Sequence, residues 1–178
     1  MEGKTVQDTS LIMSHVMLPQ DTNPAGNVHG GVVMKHIDNA AVTVAIRHTR
    51  GNAVTASIDR LDFHNPVFLG NILTLKASIN LVGKTSMEIG VRVESEDPYS
   101  GKVMHTASAY LTVVALGEKG QPIEVPYLIL ESQDEIRRNN AARARRKMRL
   151  DEKVKEREKR QIFDGYKSYD VREKNKED

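Results

Sequence analysis

Apolar and polar positions change rhythm several times along the chain, and each change marks an element. Val32, Val33, Met34, Ile37, Ala40, Ala41, Val42, Val44, Ala45 and Ile46 cover nearly every side of one helix. A helix that is apolar almost all round is a buried one. Its polar exceptions are Lys35, His36, Asp38, Asn39 and Thr43. Before it, Ser10 to Met17 reads as a strand ended by Leu18-Pro19. After Gly51 the period falls to two. Val54 to Phe63 forms a strand that stops at Asn65-Pro66; Leu73, Leu75, Ala77, Ile79 and Leu81 alternate with polar residues, as do Met87, Ile89, Val91 and Val93. A turn at Pro98 to Gly101 leads into a last long strand, Lys102 to Leu116. Such alternation marks strands with one buried face, and their short connections favour antiparallel pairing. The order strand, helix, four strands therefore predicts a two-layer α+β domain, one long helix against one antiparallel sheet.

Beyond Pro126 the pattern becomes helical and heavily charged. From Glu131 on there are 16 Lys/Arg against 12 Asp/Glu, and before it 10 against 12. The apolar positions there (Ile136, Ala144, Met148, Val154) make no continuous stripe, so a solvated helix fraying into a disordered tail is expected. Residues 8–126 are thus the folded domain and 131–178 a charged extension. Acidic residues interleaved through that extension argue against nucleic-acid binding, as does a net charge of only +2. With 178 residues, one domain is expected. The absence of Cys excludes disulfides, thiolate metal sites and a cysteine nucleophile. The first residues lack a signal-peptide pattern and no stretch has the length of a membrane span, so a cytoplasmic address is the default.

The chemistry-bearing segment is Asn23-Pro-Ala-Gly-Asn-Val-His-Gly-Gly-Val-Val-Met-Lys-His-Ile-Asp38. Its GNVHGG run (26–31), the helix carrying Asp38, the strand VTASIDRLDFHNPV (54–67) and VGKTSMEI (82–89) together resemble the hotdog-fold acyl-CoA thioesterases of the acyl-CoA hydrolase group. The resemblance spans roughly residues 10 to 116. It implies an antiparallel sheet wrapped on a central helix and hydrolysis of acyl-CoA to free acid and coenzyme A. Coenzyme A is then substrate and product, and no separate cofactor is implied. It further implies a dimer as the active unit, three such dimers in a hexamer, and a site pairing an Asn of one subunit with an Asp of the other. Those two roles are carried onto Asn27 and Asp38.

The residues suit that chemistry. A thiol of pKa about 8.5 leaves readily as thiolate, so one carboxylate and an oxyanion hole suffice. Asp38 is the candidate base, or the nucleophile; partial desolvation would strengthen it as a proton acceptor. Gly30 and Gly31 open the helix, whose unpaired N–H groups and positive dipole end suit an oxyanion. His29 is expected to support that loop. For coenzyme A, the backbone of Thr55-Ala56-Ser57 suits the amides of pantetheine, and Gly83-Lys84-Thr85-Ser86 suits the nucleotide end, with Arg137, Arg138, Arg145 or Arg146 adding charge. Structural alternatives stand beside each: Asp38 could pair with Lys35, Asn27 could be a turn residue, and Gly83 to Ser86 an ordinary hairpin turn. That stretch lacks the upstream glycine of a P-loop, and Ser57 lacks a nucleophile-elbow context. His36, His48, His64 and His105 show no metal-ligand spacing. The rival functions are a dehydratase or hydratase using His29 with Asp38, and a non-enzymatic CoA-binding or regulatory module.

Overall fold

The computed structural model describes residues 2–174, the side chains of 158 and 161–174 aside. Short elements open the chain: β1 (Lys4–Thr5), α1 (Val6–Thr9) and β2 (Leu11–Val16). The central helix α2 (Gly30–Thr49) follows, then four strands: β3 (Asn52–Phe63), β4 (Ile72–Val82), β5 (Ser86–Asp97) and β6 (Lys102–Leu116). A two-residue β7 (Leu128–Ile129) precedes α3 (Gln133–Lys174). The five longer strands form one antiparallel sheet in the order β2-β4-β5-β6-β3. This is the hotdog arrangement expected, with α2 packed on one face of the sheet.

Burial follows the alternation. Leu73, Leu75, Ile79, Ile89, Val93, Leu111 and Val113 are completely or almost completely buried beneath α2, whose own buried face is Val33, Ile37, Ala40, Ala41, Val44, Ala45 and His48. Alanines at three of those positions, and at 107 and 109 on β6, are small enough to let helix and sheet approach closely. Truncating a core Leu or Ile to Ala costs about 2–5 kcal/mol in such packing. The helix is not buried all round, however: Met34 and Ile46 are more than two-fifths exposed. They lie off the face that meets the sheet.

The body of the protein runs further than residues 8–126. Contacts define one compact unit reaching to Asn139 and a second from Asn140. At the front, β1 pairs in parallel with β7. At the back, the first turns of α3 lie on the outer face of the sheet: Arg138 Nη1 donates to Ser78 Oγ at 3.3 Å and Asn139 Nδ2 to the Asn80 carbonyl at 2.7 Å. Asn80 and Glu88 are buried there in consequence. Gly90 makes the room, since a Cβ on it would stand 2.7 Å from Asn80 Nδ2. The extension is a continuous helix to Lys174; residues 175–178, also assigned to the tail, lie outside the described residues. Among the described residues no helix is long and apolar enough to cross a membrane.

Candidate active site

Asn23-Pro24-Ala25-Gly26 carries the residues that favour a β-turn, with Asn first, Pro second and Gly fourth. The Gly26 N–H closes it on the Asn23 carbonyl at 3.0 Å, and Asn23 Oδ1 accepts the Ala25 N–H at 2.9 Å. The loop then returns past its own start, Asn23 N–H bonding the Asn27 carbonyl at 2.8 Å, and docks on the β3–β4 connection through Val28 N–H to Val67 O at 2.8 Å. This docking shapes a cleft of about 330 Å³ lined by Asn23, Asn27, Val28, Gly30, Val33 and residues 63–67. Asn27 Oδ1 is buried there without a hydrogen-bond partner. The cleft thus brings together Asn27 and Gly30 of the expected set. It adds Asn23, Phe63 and His64, which the sequence reading did not select. For Asn23 the available signal was the Asn-Pro-x-Gly turn at the head of the segment.

His29 caps α2: its Nδ1 accepts the Gly31 N–H at 3.0 Å. Gly31 is therefore not an open donor, and it does not line the cleft. Asp38 lies eight residues along the helix from Gly30, a rise of about 12 Å, and outside the cleft lining. One chain does not bring Asn27 and Asp38 together. Half-buried Asp38 makes no ion pair with Lys35; its Oδ1 accepts the Thr55 hydroxyl at 2.5 Å. Thr55 owes its position to an irregularity in β3. Thr55 pairs with Val113 and Ser57 with Thr112, leaving Ala56 as the extra residue of a bulge, a device that re-aims neighbouring side chains. Among the described residues no further strand pairs beyond β3, and Val54, Ile58 and Phe63 stand exposed along it.

Gly83 to Ser86 is a hairpin turn between β4 and β5, closed by Gly83 N–H to Ser86 O at 2.7 Å, with the Lys84 ammonium exposed and 3.5 Å from Glu124. Arg137 and Arg138 both pair with Asp134; Arg145 and Arg146 belong to the second unit. His15, His36 and His48 lie outside the cleft lining. His15 and His36 stack at 4.1 Å, and burial, then the neighbouring His15, holds His36 below the ordinary imidazole range, opposed by Asp21. Fully buried His48 bonds the Pro126 carbonyl at 2.8 Å. His64 and His105 lie 5.2 Å apart. Among the described residues, no three or more His, Asp or Glu side chains gather as a metal would require.

Comparison with known proteins gives a consistent picture. The family model described as "Thioesterase superfamily" matches residues 25–102. Protein VdlD of Helicobacter pylori is 39% identical over 145 residues, 82% of this chain and 83% of that protein. The cytosolic acyl coenzyme A thioester hydrolase of Rattus norvegicus is 38% identical over 81% of this chain, which spans only 38% of that longer protein. Among solved structures, an apo-hexameric acyl-CoA thioesterase superposes with a TM-score of 0.82 at 35% identity, covering 85% of this chain and 97% of the other. An acyl-CoA hydrolase from Staphylococcus aureus, solved with butyryl coenzyme A, gives 0.81 at 31% identity, over 90% and 98%. Variants of the Staphylococcus aureus enzyme replace an aspartate, an asparagine and a threonine by alanine. The asparagine precedes the aspartate by fifteen positions and the threonine follows it by seventeen.

Proposed function

The chain belongs to the hotdog-fold acyl-CoA thioesterases, and from that premise we propose that it hydrolyses acyl-CoA by carboxylate-assisted attack of water, at a site divided between two copies of itself. The observation that carries this is the contact between Thr55 and Asp38. Asn23, Asp38 and Thr55 repeat the two spacings found among the Staphylococcus aureus variants, and here the Thr55 hydroxyl donates to Asp38. That bond occupies one carboxylate oxygen and orients the other toward a water, which Asp38 deprotonates as general base. The spacing favours Asn23 as the amide of the site. Asn27 stays a candidate beside it, because it lines the same cleft.

The attacked carbonyl becomes an oxyanion, which needs fixed donors in a water-poor cleft. The Gly30 N–H at the positive end of α2 supplies one, and the Asn23 amide a second. The thiolate leaves without a dedicated acid, and no cofactor takes part. Because about 12 Å of helix separates Gly30 from Asp38, each site combines the Asn23 and Gly30 end of one copy with Asp38 and Thr55 of another. The unpaired edge of β3, with Val54 and Ile58 exposed on it, supports a two-fold dimer that continues the sheet, and exposed Met34 and Ile46 on α2 would be covered in it. Three such dimers would make a hexamer. The off-ladder backbone at the Thr55–Ser57 bulge suits pantetheine amides, and Lys84 on the Gly83–Ser86 turn suits phosphate. The proposed address is the cytoplasm.

A thiol-release assay over a panel of acyl-CoA chain lengths tests the activity. A hydratase would alter the acyl chain and leave the thioester intact, and a binding module would release nothing. Asp38→Ala should keep its affinity for coenzyme A and lose about 10²–10⁴ in turnover; normal turnover in the folded variant would refute the mechanism.

A further inference from the structure

The first turn of α2 presents its backbone donors unequally. The Val32 and Val33 N–H groups both reach the His29 carbonyl, at 2.9 and 3.4 Å. The Gly31 N–H reaches His29 Nδ1 at 3.0 Å. Among the described residues the Gly30 N–H finds no partner, and Gly30, not Gly31, lines the cleft. Two rings bracket the glycine pair. A Cβ added to Gly31 would stand 3.2 Å from His29 Nδ1, and one added to Gly30 would stand 3.6 Å from the Phe63 ring. A backbone N–H can only donate, so His29 Nδ1 is the acceptor of this bond.

We propose that His29 is a positioning residue for thioester hydrolysis. By occupying the Gly31 N–H it holds the first turn of α2 in register and leaves Gly30 N–H as the single helix donor facing the cleft. The inference rests on the reading of this cleft as the thioester site. An oxyanion donor contributes in proportion to how well it is fixed before the reaction. Without the ring, the Gly31 N–H is open to water and the turn has no side-chain cap, so it frays. The amide of Gly30 then wanders, and only the transition state, where charge has developed on the oxygen, is affected.

The test compares His29→Leu, which keeps bulk but removes the acceptor, with His29→Asn, which restores a capping oxygen. Both are assayed as the full chain by thiol release, using the acyl-CoA turned over fastest in the panel. His29→Leu should lower kcat about ten- to a hundredfold with KM changed less than about threefold, and His29→Asn should recover to within about threefold of the parent. Gly31→Ala, whose methyl crowds Nδ1, should resemble His29→Leu and decides the matter if that variant does not fold. Unchanged kcat in His29→Leu, or equal impairment of the Leu and Asn variants, would overturn the proposal. Asp38→Ala run alongside separates the two levels: if it retains turnover the reading of the site is wrong, whereas an inactive Asp38→Ala beside a normal His29→Leu removes only the role of His29.

Discussion

The two ends of α2 treat their backbone groups in opposite ways. At the C-terminal end almost everything is closed. Arg50, in the left-handed conformation, returns its N–H to the Ile46 carbonyl at 2.8 Å. Lys4 Nζ reaches across from β1 to the carbonyls of Arg47 and His48 at 3.1 and 2.7 Å, placing a cation at the negative end of the helix dipole. His48 anchors the chain at Pro126. At the N-terminal end, the Gly30 N–H and Asn27 Oδ1 face a cleft without partners. A buried polar atom left unpaired costs about 1–3 kcal/mol. At the other end of the same helix the carbonyls of Ile46, Arg47 and His48 all find donors, although His48 Nδ1 is buried without a partner. An oxyanion would accept from the Gly30 N–H, whereas Asn27 Oδ1 would need a donor from the bound substrate.

If that contrast is right, substitutions at the open end should cost rate and those at the closed end should cost stability. The larger effect is expected at Asn23. Asn23→Asp keeps the oxygen that accepts the Ala25 N–H but removes the amide donor, so turnover should fall about a hundredfold with the unfolding temperature little changed. Asn27→Ala, measured beside it, should cost less than about tenfold; the reverse ranking would transfer the role to Asn27.

A smaller effect separates the closed end. Burial pushes His48 below the ordinary imidazole range, partly offset by its bond to Pro126 and reinforced by nearby Lys4. The folded state therefore takes up a proton less readily than the unfolded chain. The corresponding stability is complete above the unfolded value of about 6.5 and is lost as the pH falls from there toward the folded value. His36, also depressed, adds to the same slope. Depressed carboxylates such as Glu94 act lower, below about 4.3. His48→Gln, which retains a donor for the Pro126 carbonyl, should flatten thermal stability measured from pH 7 to 5 and leave kcat at pH 8 unchanged. An unaltered slope would show that the closed end is not held as described.

Much of this was readable in the sequence. The period-two runs located β4, β5 and β6, and the apolar block around Asp38 located α2, because these elements announce themselves by local periodicity. Elements held by distant partners left no such trace. Lys4 and Thr5 pair with Leu128 and Ile129, and a two-residue strand has no period to detect. Arg138 and Asn139 look like the start of a solvated helix until the outer face of β4 supplies Ser78 and Asn80. The site was half legible. Asp38 stood out as an acid among apolar residues, and the glycine pair as a helix start. That His29 would take the Gly31 amide, and that Asn23 shares the cleft with Asn27, depends on how the loop folds back on itself, which spacing alone does not specify.

The most direct measurement of the shared site is complementation between two impaired chains. Asn23→Ala lacks the amide at one end of the helix, and Asp38→Ala the base about 12 Å along it. Each should be nearly inactive alone. Mixed in equal amounts and allowed to exchange, half the dimers are hybrid and each hybrid holds one intact site, so about a quarter of the parent activity should return. Exchange is followed independently by mass-tagging one chain. Recovery of activity in step with hybrid formation is the predicted result; complete exchange with no recovery would contradict a site built from two copies.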